Sequence, residues 1–257
     1  MKKILTAALV ASSFMVSQAS ADFLRVEMGG GLWSYTPSGD ATYTNTAINA
    51  YGEYKSAEKS EDNGYVWMLI KHPVPIIPNL RLEYSDVQDQ GLAKGRFKDF
   101  DTLNATTTAR YELKQYDIIP YYNILDNLMW TTIDLGIDLK VIDATYSADN
   151  VQVVGIPLPT QYNDQDTIAL PLVYARARVE VPGTGLGLEA DGKYITYDGS
   201  TVYDFRAKVD YTFDFNVVRP GVEVGYRVQK FDLSTDDDKT KMNVDFSGFY
   251  AGLMLRF

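Results

Sequence analysis

The stretch from Val244 to Phe257 (V-D-F-S-G-F-Y-A-G-L-M-L-R-F) constrains the fold more than any other. Taking every second residue back from the end, Phe257, Leu255, Leu253, Ala251 and Phe249 form one face. Arg256, Met254, Gly252, Tyr250 and Gly248 form the other. A period of two is a strand, here with one apolar and one mixed face. A strand left bare at a chain end invites edge-to-edge aggregation. A closed barrel removes that edge by pairing its last strand with its first.

At the other end, Met1-Lys2-Lys3 precedes an apolar run from Ile4 to Val16, too short to cross a bilayer as a helix. Ala19-Ser20-Ala21 has the A-x-A form of a leader cleavage site. Residues 1–21 are therefore expected to be a cleaved signal peptide, and residues 22–257 one exported domain. Losing Lys2 and Lys3 takes the formal charge from −10 to −12. With no cysteine, disulfide and thiol chemistry are excluded. No apolar run of about 18 residues follows the leader, so no helical span is expected. The acidic balance argues against nucleic acid as a partner, because phosphate contacts need clustered Lys and Arg.

Ten segments read as strands, residues 22–35, 64–71, 80–85, 106–122, 128–143, 167–181, 186–197, 201–213, 217–231 and 244–257, by period-two alternation except at 64–71, which is apolar on both faces. Four polar stretches read as long loops: 36–63 (with a short helix near 57–61), 86–105, 145–166 and 232–242. Short turns are expected at the proline-rich His72–Asn79, at Leu125–Asn127, at Pro182–Gly185 and at Asp214–Asn216, with a tight hairpin at Asp198-Gly199-Ser200. Within 106–122, Arg110, Glu112 and Lys114 oppose Tyr111 and Leu113, yet Tyr116, Ile118 and Tyr122 then carry the apolar side. A bulge near Gln115 would reset the parity.

Alternation alone fits a soluble sandwich as well as a membrane barrel, because either can carry one apolar and one charged face. The leader, the long-short rhythm of connections, the terminal Phe257 and tyrosines near strand ends select the barrel. The expected fold is an all-β, transmembrane, antiparallel up-and-down barrel of about ten strands, with short periplasmic turns and long outer loops.

The Gly29-Gly30 pair, the His72-Pro-Val-Pro-Ile-Ile-Pro-Asn79 turn leading into Leu80-Arg-Leu-Glu-Tyr84, and the terminal Tyr250 to Phe257 together resemble a family of small proteobacterial outer-membrane β-barrels. That family is marked by a Gly-Gly pair near the mature N-terminus and by a C-terminal Phe signal. The resemblance implies the outer membrane of a Gram-negative bacterium as location, with membrane lipid, lipopolysaccharide and the barrel-assembly machinery as partners. Phe257, Leu255 and Leu253 would be the assembly signal. It implies no catalytic activity.

In such a barrel the charged faces line the lumen. The candidate lumen-lining residues are Arg110, Glu112, Lys114, Asp134, Asp138, Arg176, Arg178, Asp204, Arg206, Lys208, Glu223 and Arg227. Over all ten strands twelve cations face eleven acids. Ten strands are only slightly wider than the eight whose interior side chains can fill. A salt-bridged, filled interior and a narrow polar channel for small solutes, constricted where Arg176 and Arg178 approach Arg206, both fit. The surplus acid falls in the loops, notably Asp232–Asp238, which would be solvated or would meet divalent cations or lipopolysaccharide. No enzyme, cofactor or metal site is expected. His72 is the sole histidine, G-x-S-x-G is absent, and Gly183–Gly187 is a turn with no helix to follow. Two functions remain: passive uptake through a narrow channel, or a closed barrel that works structurally or through its acidic outer loops.

Overall fold

The computed structural model describes residues 24–74, 76–153, 160–215, 218–235 and 239–257. The expected leader and Asp236 to Asp238 lie outside the described residues. Within them the chain forms eleven strands: β1 (Arg25–Asn45), β2 (Ala50–Ser56), β3 (Glu61–Lys71), β4 (Asn79–Arg96), β5 (Phe100–Leu128), β6 (Thr131–Val153), β7 (Thr160–Glu180), β8 (Leu186–Tyr197), β9 (Ser200–Thr212), β10 (Arg219–Thr235) and β11 (Thr240–Arg256). All pair antiparallel with their neighbours in one sheet. β2 and β3 share one place in the ring. Both lie between β1 and β4, β2 at the outer end and β3 at the turn end. Eleven segments therefore fill ten positions. The ring closes through β1 against β11, from Glu27↔Arg256 to Tyr43↔Thr240. The Phe257 amide donates to the Val26 carbonyl at 2.9 Å, so the seam is hydrogen-bonded to the final residue.

The expected long loops are mostly strand. β1 runs to Asn45, β4 to Arg96, β6 to Val153 and β10 to Thr235, and the returning strands start within a few residues. No helix forms near 57–61; residues 57–60 are irregular and β3 begins at Glu61. These segments read as polar because their outward residues are polar while many inward ones, such as Ala93, Ala109, Ala144 and Ala148, are small. The turn expected at Leu125–Asn127 also moves. β5 continues to Leu128, which pairs with Thr131, and Met129-Trp130 makes the hairpin.

The outward residues divide the barrel by height. On β5 the apolar run spans Tyr116 to Ile124, on β6 Ile133 to Val141, on β7 Pro171 to Val179, on β9 Tyr203 to Tyr211, and at the C-terminus Phe249 to Phe257. Each is nine residues, enough for a tilted strand to cross the hydrocarbon. The boundary follows the register. Tyr84, Tyr116, Val141 and Ala169 are successive partners at the outer edge of the belt, and Asp86, Lys114, Asp143 and Thr167 are successive partners one step beyond it.

At that boundary the inward face changes in the opposite sense. Within the belt β6 points Asp134, Asp138 and Lys140 inward; above it, Ile142, Ala144 and Ala148. β9 changes from Asp210, Lys208 and Asp204 to Val202. β10 changes from Glu223, Arg227 and Gln229 to Phe231, and β4 from Arg81 and Glu83 to Val87. Lipid demands an apolar exterior and leaves charges to the interior, whereas water outside demands the reverse. This inversion, not a bulge, explains β5. The register runs unbroken through Ser85↔Gln115 and Gln115↔Ile142. Tyr111, Leu113, Gln115 and Asp117 all point inward, so Arg110, Glu112 and Lys114 lie on the outer wall, above the membrane.

Candidate functional site: the charged lumen and the apolar core above it

Within the belt, the inward charges form one connected lattice. Arg178 donates to Asp210 through two nitrogens at 2.7 and 2.9 Å. Arg227 does the same to Asp204 at 2.9 and 2.6 Å. Arg176 joins Asp134 at 2.6 Å and Glu189 at 2.7 Å. Lys208 reaches Glu223 at 2.8 Å, and the Tyr65 hydroxyl and Trp67 indole N–H donate to the same carboxylate. Near the seam Arg256 pairs with Glu27 at 3.2 Å and with Asp210 at 3.1 Å.

Several of these bonds span the lumen. β4 lies about half-way round the ring from β8 and β9, and β5 from β10. Lys193 of β8 bonds Glu83 of β4 at 2.6 Å, and Arg81 of β4 reaches Glu189 of β8 at 3.3 Å. Arg206 of β9 also bonds Glu83. The amides of Gln115 on β5 and Gln229 on β10 bond each other at 2.9 and 2.6 Å. Lys140, Lys193, Asp138, Gln115 and Gln229 are 0% exposed. Among the described residues the buried part of the lattice, leaving out the partly exposed Arg25 and Glu180 that join it at the rim, holds nine cations (Arg81, Lys140, Arg176, Arg178, Lys193, Arg206, Lys208, Arg227 and Arg256). Ten acids face them: Glu27, Glu83, Asp117, Asp134, Asp138, Glu189, Asp191, Asp204, Asp210 and Glu223. That near balance is what a buried ionic filling requires, since an unpaired buried charge is costly.

Aromatic side chains fill what the ions leave. Trp67 lies over Gly29, its registered partner; a Cβ there would sit 2.7 Å from the indole nitrogen. Tyr250 uses Gly225 in the same way. The Arg227 guanidinium stacks 4.5 Å from the Trp33 ring, and the Lys208 ammonium 4.5 Å from Trp67.

Above this lattice the extension beyond the membrane has an apolar core. Tyr35, Val87, Tyr111, Phe231, Val244 and Phe246 are all buried there, with Tyr35, Tyr111 and Phe231 each edge-on to Phe246. Among the described residues β7 stands without a β8 partner from Thr160 to Leu172, and the wall has a gap on the β2/β3 side: β4 lacks a strand partner between Ser85 and Gly91, where residues 57–60 interrupt that position. Side chains bridge it. The Tyr35 hydroxyl accepts from the Gln88 amide at 2.7 Å and donates to the Gln88 carbonyl at 3.3 Å, while the Asn63 amide nitrogen donates to Tyr35 and to the Asp86 carbonyl.

Of the candidate lumen residues, Asp134, Asp138, Arg176, Arg178, Asp204, Arg206, Lys208, Glu223 and Arg227 lie inside, in the lattice. Arg176 and Arg178 do not frame an opening with Arg206; each is engaged by carboxylates. Arg110, Glu112 and Lys114 are outside. Lys114 pairs with Glu112 in the open, and Arg110 and Glu112 line a groove of about 260 Å³ with Glu61, Gln88 and Ser147 and the buried Asp89 and Tyr111. Asp117 and the apolar core were not foreseen, although the unbroken alternation of Tyr111, Leu113, Gln115 and Asp117 carries both. Phe257, Leu255 and Leu253 face the lipid side. His72 holds the proline turn: its Nδ1 accepts from the Val74 amide, its Nε2–H donates to the Pro78 carbonyl, and its amide donates to Asn79.

No protein-family model matches this sequence, and no curated protein matches it either. Solved structures resemble it in shape. The outer membrane protease OmpT from Escherichia coli aligns over 94% of this chain and 98% of its own, at 9% identity and a TM-score of 0.47. The transport unit of the autotransporter AIDA-I from Escherichia coli aligns over 98% and 95%, at 11% identity and a TM-score of 0.38. The outer membrane protein AlkL, in lipid bilayers, aligns over 95% of each chain at 11% identity and a TM-score of 0.38. These likenesses concern overall shape alone. The closed antiparallel ring, its apolar outward belt and its charged interior make this chain a transmembrane β-barrel of the outer-membrane type.

Proposed function

We propose that this protein is a closed, non-enzymatic outer-membrane barrel whose working surface is the polar wall standing above the membrane. The observation that carries the reading is the set of hydrogen bonds across the lumen, Lys193 to Glu83 and Gln115 to Gln229, beneath an apolar core. A solute moving down the axis would have to break buried ion pairs and then part a packed core. Each step is costly, since removing one partner of a buried pair costs about 3–5 kcal/mol. The alternative is passive uptake of small solutes through a narrow channel. Purified full-length protein in planar bilayers is expected to be silent at high protein load, whereas discrete conductance steps would establish the channel. The outer wall is tested at its groove. Replacing Arg110 and Glu112 with alanine is expected to leave the barrel folded while weakening any envelope or adhesion phenotype of the intact protein.

A further inference from the structure

Two breaks in the wall above the membrane are sealed by side chains. The gap beside β4 is bridged by Tyr35 and Asn63. The β8–β9 hairpin turns at Asp198-Gly199 while its neighbours β7 and β10 rise past it. On the β10 side the Ser200 hydroxyl accepts from the Ser234 amide at 3.1 Å and donates to the Ser234 carbonyl at 3.5 Å, which closes that edge. The β7 side differs. Above Val173 no strand of the described residues pairs with β7 in the place of β8. A strand edge left in this way presents a row of unpaired amides and carbonyls, a template for another chain.

The groups on that edge can be assigned. Alternate residues of a strand aim amide and carbonyl at opposite neighbours. The Glu180 amide donates to the Trp130 carbonyl on the β6 side, and the Val181 amide to the Leu186 carbonyl on the β8 side. The register with β6 is unbroken from Val179 to Tyr162, so this parity holds upward. Asn163, Gln165, Thr167, Ala169 and Pro171 therefore turn their backbone groups to the open side. Two of them fit that assignment directly. Pro171 lacks the donor that a further rung with β8 would need. The Gln165 amide donates to the Asp164 carboxylate at 2.9 Å instead of to a strand. Residues 163–167 are exposed on both faces.

Charge selects what the edge accepts. Residues 142–172 hold Asp143, Asp149, Asp164 and Asp166 and no Lys, Arg or His. Asp164 and Asp166 share the inward face of β7 with the buried Leu172, yet both are exposed. A second copy of this edge, paired antiparallel about Gln165, would set Asp164 against the other copy's Asp166. Like charges directly opposite each other destabilise a strand pair, so the edge repels itself. We infer that residues 163–169 of β7 are a docking edge for an extended cationic peptide, which joins the sheet as its next strand. Main-chain bonds to Asn163, Thr167 and Ala169 supply the affinity, and lysine or arginine at alternate positions against Asp164 and Asp166 supplies the selection. Such a peptide is the partner of the wall above the membrane, and the inference rests on that wall being the working surface.

The full-length protein is refolded into phosphatidylcholine vesicles, which carry no net charge to attract a cationic peptide. The probe is a short peptide alternating lysine and threonine. With its lysines opposite Asp164 and Asp166, its threonine amides face β7 and its lysine amides face away. N-methylation of the threonine amides is expected to weaken binding about tenfold or more, and N-methylation of the lysine amides to change it little. Hydrogen exchange at Asn163, Thr167 and Ala169 should slow in the complex. Ala169→Pro removes one donor on the open side, as Pro171 already does, leaves the β6 ladder intact, and should weaken the peptide. Asp164→Asn with Asp166→Asn should abolish the preference for this peptide over one alternating glutamate and threonine. Absence of binding at millimolar peptide overturns the inference, as does binding indifferent to the site of methylation and to Ala169→Pro. Slow exchange at the three amides in the protein alone, together with cross-linked dimers, would place a second copy on the edge and overturn it too. None of these results bears on the closed lumen, which stands or falls on conductance.

Discussion

Replacing Asp204 with leucine tests whether the lattice is a structural filling. Asp204 is 1% exposed and accepts both bonds of Arg227. Its second oxygen also takes Gln229 at 3.3 Å and lies 3.8 Å from both Lys140 and Lys193. Removing it strands the Arg227 guanidinium in the interior, where the face of Trp33 is a weak substitute worth about 0.5–2 kcal/mol. Breaking a buried ion pair from one side costs about 3–5 kcal/mol, and Asp204→Leu is expected in that range. Arg227→Met should cost less, because Asp204 keeps two lysines nearby. The double variant should recover most of the loss, since apolar replacement of a whole buried pair is often close to neutral. The coupling between the two sites should then be at least about 1 kcal/mol. Urea unfolding in lipid vesicles, followed by tryptophan fluorescence, measures all four corners of the cycle. If Asp204→Leu costs less than about 1 kcal/mol, or the single losses simply add, the lattice is not a load-sharing filling and the closed-lumen reading loses its basis.

Three further outcomes are expected. Tyr35→Phe keeps the ring in the apolar core but leaves the Gln88 amide and carbonyl without their bridge. A loss of about 1–3 kcal/mol and faster hydrogen exchange at Gln88 should follow, and unchanged exchange would refute the bridged gap. Phe257→Ser is expected to lower the yield of folded, heat-modifiable barrel in membranes far more than Leu135→Ala, another lipid-facing change; equal yields would remove the terminal strand as an assembly signal. Burial pushes the Asp89 carboxyl above its ordinary 3.8, only partly offset by bonds from Tyr54 and Ser56, and Asp86 beside Glu112 moves the same way. A carboxyl raised in the folded state contributes stability below its unfolded value and loses it as pH rises through the folded one. The urea-midpoint difference, wild type minus Asp89→Asn, should therefore shrink as pH rises from the ordinary carboxylate value towards neutrality; a constant difference would refute the assignment.

Much of the fold is legible in short alternating segments. The strand at residues 186–197 is read with its final limits, and that at 201–213 to within a residue, because period-two patterning and an Asp-Gly hairpin bracket them tightly. The extension is harder to read. Tyr111 and Leu113 inside, with Arg110, Glu112 and Lys114 outside, look like a reversed strand when the medium around them is taken to be uniform. Polarity identifies a face only when the surrounding solvent is known, and these residues stand in water while Tyr116 to Ile124 stand in lipid.

The chain's own pattern determines that it is all-β, that its strands turn back on themselves, that a proline-rich turn and an Asp-Gly hairpin sit where they do, and that charges and apolar residues take opposite faces. These follow from local rules of periodicity and turn chemistry. Whether the lumen is open is decided only in three dimensions. Near balance between cations and acids is compatible with a channel or a filling; Lys193 meeting Glu83 across the ring depends on barrel width and stagger, which no local pattern encodes. The height at which the faces exchange is likewise set by register, Asp86 to Lys114 to Asp143, because alignment between strands places each residue in lipid or in water.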